Sequence, residues 1–149
     1  MTLTPKETEL LKDLKTQEQL CIDKYNKHAN CACSQNLKNL LNDIAKAEAE
    51  HLKTITDMMN GTVAQVPPTL QGNNADCCAW NYSDAQCRKN DEFICQDLLT
   101  TEKHASSLYD TCVFEFSDPA ARKLLNHIQA EEQQHGERLY AYMAANNMY

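Results

Sequence analysis

The chain has 149 residues, 42% of them hydrophobic, and a formal net charge of −7. That length makes one domain with a sizeable core, and the absence of any run of about 18 apolar residues excludes a membrane-spanning helix. Its negative charge argues against nucleic acid as a partner, because phosphates would be repelled, and three glycines with four prolines favour long helices over a turn-rich β fold.

The start, Met1-Thr-Leu-Thr-Pro-Lys-Glu7, has neither the basic nor the apolar region of a secretory signal, so cytoplasmic synthesis is expected. Thr4, Pro5 and Glu7 read as the N-cap, first position and capping-box acid of a helix. Leu11, Leu14, Glu18, Cys21, Ile22, Tyr25 and Ala29 follow at three- and four-residue steps, predicting one helix over about 5–29. Asn30-Cys-Ala-Cys33 breaks it. Ser34 can cap a second helix, over about 34–60, which carries Leu37, Leu41, Ile44, Glu48, His51, Leu52, Ile55 and Met59 and stops at Asn60-Gly61.

Residues 61–83 hold two glycines and two prolines and show no helical period. A link this long inside a compact domain needs a reason. Helices of some 25 residues are about 40 Å long, and twenty-odd extended residues can span that distance. Ser83-Asp84 can cap a third helix, over about 84–113, with Cys95, Leu98, Glu102, Ala105, Tyr109 and Cys112 on its inner face. Ser117-Asp118-Pro119 is a stop and restart. A fourth helix, over about 118–145, carries Ala121, Leu125, Ile128, Glu132, His135, Leu139, Tyr142 and Met143. The expected fold is an all-α, ferritin-like four-helix bundle of two helical hairpins joined by a long crossover, one domain over 1–149.

Six residues organise this pattern. Glu18 precedes Glu48-Ala-Glu-His51 by thirty positions, and Glu102 precedes Glu132-Gln-Gln-His135 by the same interval. The two sets are offset by 84 residues, and so are Leu14 and Leu98, Tyr25 and Tyr109, Ile44 and Ile128, and Met59 and Met143. This internal repeat of two hairpins predicts a pseudo-twofold axis through the centre of the bundle. Glutamate and histidine on helices ordinarily face solvent, but here all four acids share the phase of the apolar stripe. A buried carboxylate without a partner costs several kcal/mol, and the inner stripes offer no Lys or Arg at that level. Each Glu-x-x-His pair presents both side chains on one helix face. Glu18, Glu48, His51, Glu102, Glu132 and His135 are therefore the expected ligands of a dinuclear metal site. Carboxylate-rich, mixed oxygen and nitrogen ligation favours two iron ions, or manganese, over zinc, and six ligands for two ions leave positions open for chemistry.

The fourth-helix phrase Glu131-Glu132-Gln-Gln-His135-Gly-Glu-Arg is similar to the corresponding motif of rubrerythrins, in the ferritin-like superfamily. Leu10-Leu-Lys-Asp-Leu-Lys-Thr-Gln-Glu18-Gln-Leu-Cys21 and Ile44-Ala-Lys-Ala-Glu48-Ala-Glu-His51-Leu52 resemble the spore coat F family. The resemblance implies a di-iron carboxylate fold and association with the spore coat. The chain departs from rubrerythrins in two respects. It has no Cys-x-x-Cys knuckle for a built-in electron relay, and no extra third-helix acid beside Glu102, whose neighbours are Leu98, Leu99, Ala105 and Ser106.

Tyr25 and Tyr109 are core aromatics in the plainer reading; in the sharper one their hydroxyls bond ligand carboxylates and act in one-electron chemistry. Glu50 and Glu131 are expected to be solvated, and His28, His104 and His127 to lie at the surface. Cys21, Cys95 and Cys112 fall on inner faces as small apolar residues. Cys31, Cys33, Cys77, Cys78 and Cys87 are expected to gather at one end, as disulfides within or between chains, a second metal site, or reduced thiols. The function expected from all this is reduction of O₂ or peroxide, or oxidation of Fe(II), with an external electron donor. A homodimer or coat-protein contacts complete the expected partners. The alternative is a structural coat protein whose metal site is vestigial or purely structural.

Overall fold

Among the described residues there are four helices: α1 (Pro5–Cys31), α2 (Gln35–Met59), α3 (Ala85–Glu115) and α4 (Pro119–Ala145). The structure, a computed structural model, describes residues 1–68 and 79–149. Cys77, Cys78 and the middle of the crossover lie outside the described residues.

Each helix starts where a side chain can take up orphaned amide groups. Thr4 accepts from the Glu7 amide while the Glu7 carboxylate accepts from the Thr4 amide, closing a capping box ahead of Pro5. Ser34 accepts from the Leu37 amide, Asp84 from that of Gln86, and Asp118 from those of Ala120 and Ala121. Helix α2 ends at Gly61, whose φ of 84° lies in the left-handed region, and a Cβ there would come within 2.9 Å of the Met1 carbonyl oxygen. Helices α1 and α3 run one turn or less beyond the expected ends, because no glycine or proline stands at either stop.

Helices α1 and α2 pack as one hairpin and α3 and α4 as the other, with α1 also against α3 and α2 against α4. Contacts such as Glu7 with Ser117 and Cys33 with Asp91 make α1 and α3 antiparallel. The ends of the crossover lie at opposite ends of the bundle. Gly61 accepts a 2.8 Å hydrogen bond from the Met1 ammonium, whereas Cys87, in the first turn of α3, is disulfide-bonded to Cys33 in the α1–α2 turn. The two hairpins are therefore joined from one end of the bundle to the other.

The apolar core comes in two clusters, one around Tyr25, Leu41, Leu98 and Tyr142 and the other around Leu11, Ile55, Tyr109 and Leu125. On every helix the glutamate of the repeat stands between its contributions to the two. Hydrophobic burial, about 1.5–3 kcal/mol for a fully buried aliphatic side chain, thus holds the bundle from above and below a polar middle layer.

The 84-residue repeat is visible in the contacts themselves. Glu7 in α1 accepts from the amide and hydroxyl of Ser117, in the α3–α4 turn, at 3.0 and 3.1 Å. The repeat partners of those two residues are Asp91 and Cys33, and Asp91 accepts from the amides of Cys33 and Ser34 at 2.8 and 2.9 Å. Each hairpin thus buries a carboxylate of its first helix against the turn of the other. The disulfide strengthens one of these two ends. Cys31 is exposed and free at that same end, while Cys21, Cys95 and Cys112 are buried and free.

Candidate metal centre

All four repeat glutamates are buried: Glu18, Glu48 and Glu132 fully, Glu102 nearly so. His51 and His135 are buried beside them, their rings stacked with centroids 5.7 Å apart. Nδ1 of His51 lies 3.1 Å from Glu48 Oε2, 3.1 Å from Glu132 Oε1 and 3.8 Å from Glu18 Oε2. Nδ1 of His135 lies 3.0 Å from Glu48 Oε1, 3.5 Å from Glu132 Oε2 and 3.7 Å from Glu102 Oε1. Two four-residue groups result, Glu18, Glu48, His51 and Glu132 in one and Glu48, Glu102, Glu132 and His135 in the other, each with ligand atoms within 4.8 Å of one another. Glu48 and Glu132 belong to both, as bridging carboxylates would.

The outer carboxylates are held by the opposite hairpin. The Tyr25 hydroxyl donates to Glu102 Oε1, and the Tyr109 hydroxyl donates to Glu18 Oε1. Both tyrosines are fully buried. Sequence spacing places each tyrosine two turns from the glutamate of its own helix, but the antiparallel packing of α1 on α3 exchanges the partners. The second oxygens of Glu18, Glu102 and Glu132 are buried without a hydrogen-bond partner. Such atoms cost roughly 1–3 kcal/mol each when left unpaired.

Electrostatics sort the six groups. Burial raises the Glu18 carboxyl to about 10, with the charges of Glu132 and Glu48 adding to it. Burial also leads in holding Glu102 well above the carboxylate range. Glu132 is pushed up by burial too, yet its contacts with His135 and His51 outweigh this and leave it well below its ordinary value. Glu48 is lowered by the same balance, through His135 and His51. Burial works against charge on both imidazoles, but hydrogen bonds to Glu131, Glu132 and Glu48 raise His51, and those to Glu102, Glu132 and Glu48 raise His135. These directions favour a metal-free centre in which the two raised acids and both imidazoles hold protons, so that its charges balance. Four carboxylates, two neutral imidazoles and two divalent cations also sum to zero. The centre can therefore exchange four protons for two such cations without leaving net charge in the core.

Comparison with known families adds one finding. Residues 90–149 match the family model described as the Coat F domain. The second hairpin thus resembles the spore coat F family. No curated protein and no solved structure matches the chain. The Coat F match covers Glu102, Glu132 and His135 and stops short of Glu18, Glu48 and His51. The phrases of α1 and α2 quoted above lie outside it, and the 84-residue repeat is what relates them to the Coat F segment.

Two side chains of the Coat F segment differ from expectation. Glu131 is only partly solvated: its Oε2 lies 2.9 Å from His51 Nε2, and its side chain is 29% exposed. His127, expected at the surface, has a side chain only 9% exposed, with Nε2 3.4 Å from Glu131 Oε1. His28 is likewise partly buried, 2.8 Å from Asp97 Oδ2, whereas His104 and Glu50 are exposed. Helical phase within α4 cannot reveal the Glu131–His51 contact, because it depends on how α2 lies across α4, whereas His127 and Glu131 stand one turn apart on α4 itself. One signal was available: the repeat places Ala47 opposite Glu131, so the halves differ beside the ligands.

Proposed function

We propose that the chain is a ferritin-like dinuclear metal protein of the spore coat, with iron in both positions, that reduces O₂ or peroxide or oxidises Fe(II). Manganese is the other candidate metal. The observation that carries this reading is the convergence of four buried carboxylates, three with an unpartnered oxygen, on two imidazoles inside an apolar bundle. Placement in the coat is supported by the Coat F match, which also favours other coat proteins as partners.

The donor set fits two ions. Glu18 and His51 would serve one position, Glu102 and His135 the other, with Glu48 and Glu132 shared. When bound, a pair of irons supplies two electrons together, so that one H₂O₂ and two protons become two waters while an external donor returns the electrons. Tyr25 and Tyr109 orient the outer carboxylates and keep a hydroxyl proton beside each. The aliphatic layers on either side exclude bulk water, which strengthens every electrostatic contact within.

A second reading, a structural coat protein braced by metal, is favoured by the Cys33–Cys87 disulfide and by the same family match. One experiment separates them. The protein is loaded anaerobically with Fe(II) and pulsed with O₂ or H₂O₂ while near-ultraviolet ferric absorption is followed. The redox reading expects rapid oxidation of two irons per chain, faster than in Glu48→Ala. Oxidation no faster than in that variant, with the loaded protein still stabilised against heat, selects the structural brace.

A further inference from the structure

His51 is held on both of its nitrogens. Nδ1 faces Glu48 and Glu132 in the interior, and Nε2 lies 2.9 Å from Glu131 Oε2. Glu131 in turn has His127 Nε2 3.4 Å from its other oxygen, and that buried nitrogen has no hydrogen-bond partner. The pseudo-twofold fails beside His51. The repeat counterparts of Glu131 and His127 are Ala47 and Asp43. Ala47 offers no carboxylate, and Asp43 instead pairs with Arg138 at 2.8 Å. Among the described residues, His135 therefore has no acid in the place where His51 has one.

A carboxylate on the far nitrogen of a ligand histidine fixes its tautomer and ring orientation and raises its basicity. Where a bound cation displaces the Nδ1 proton, the proton that remains on Nε2 is directed to Glu131 and Nδ1 presents its lone pair to the interior. Building on the dinuclear reading, we infer that Glu131 is a positioning residue that makes the two metal positions unequal. The position of Glu18 and His51 fills first, and that of Glu102 and His135 second. The repeat duplicates the ligands, and Glu131 breaks their equivalence.

The test is anaerobic titration of the full chain with Co(II), followed by calorimetry and by visible absorption. The wild type is expected to bind two ions in separate steps. Glu131→Ala should weaken the first step by about 10–100-fold, and Glu131→Gln, which keeps an acceptor for Nε2–H, should restore part of the loss. His135→Ala leaves only the Glu18–His51 position, and adding Glu131→Ala there should weaken the remaining ion by the same factor. His51→Ala leaves only the other position, where Glu131→Ala should have no effect. Far-ultraviolet circular dichroism and the melting point of each metal-free variant identify any that fail to fold, and the single variant Glu131→Gln then decides. Two equal steps that Glu131→Ala leaves untouched would overturn the inference while leaving the dinuclear reading standing. A wild type that binds no Co(II) would remove both.

Discussion

At the scale of single residues, the same side chain type does two unlike jobs. Glu7 and Glu18 both sit on α1 and both are buried. Glu7 accepts from the amides of Thr4 and Ser117, at 2.8 and 3.0 Å, and from the Ser117 hydroxyl. These bonds, the Thr4 amide first, hold its carboxyl below the ordinary range. Glu18 has one tyrosine hydroxyl and an orphaned oxygen, and burial drives it up. A satisfied acid is a structural device; an unsatisfied one is, on the proposed reading, a ligand. The sign of the Glu7 contribution follows from its lowered value. It is present above the carboxylate range of the unfolded chain and is lost as pH falls through the folded-state value. Glu7→Gln should cost about 1–3 kcal/mol near neutral pH, and the gap to wild type should close in acid. Urea unfolding at a series of pH values measures it, and a gap independent of pH would show that charge is not what Glu7 contributes.

At the scale of helices and turns, most of the architecture is legible in the sequence because caps and phase are local. Thr4, Ser34, Asp84 and Asp118 announce the helix starts, and the apolar stripe places the repeat glutamates inside. Contacts between elements are less legible. The exchange of tyrosine partners, the Glu131–His51 pair and the Asp91 contact with the α1–α2 turn all depend on which residues of two helices come level. The gathering of Cys31, Cys33 and Cys87 at one end follows from where α3 begins, but the pairing of Cys33 with Cys87 needs their separation in space. That disulfide closes a loop across 54 positions of sequence, for which chain-entropy reasoning gives about 2–4 kcal/mol. Cys33→Ser with Cys87→Ser should lower stability by that amount. It should also raise amide exchange around the α1–α2 turn more than around Ser117, at the opposite end. Equal loosening of both ends would mean that the bond stiffens the whole bundle.

At the scale of the whole molecule, an apolar core is divided by a polar layer that folding alone does not justify. Replacing the six buried groups by aliphatic side chains would remove the desolvation cost of four carboxylates, several kcal/mol each. The repeat keeps them in both halves, and their charges balance in two ways, with protons or with cations. The single most direct measurement is equilibrium binding of Fe(II) under anaerobic conditions in weak buffer, with pH and bound metal recorded together. Two ions per chain should bind, about four protons should leave, and affinity should rise with pH, because ligand imidazoles and carboxyls must lose protons to bind. Binding of fewer than two ions, or binding of two with no proton release and no dependence on Glu48 and Glu132, would contradict the account.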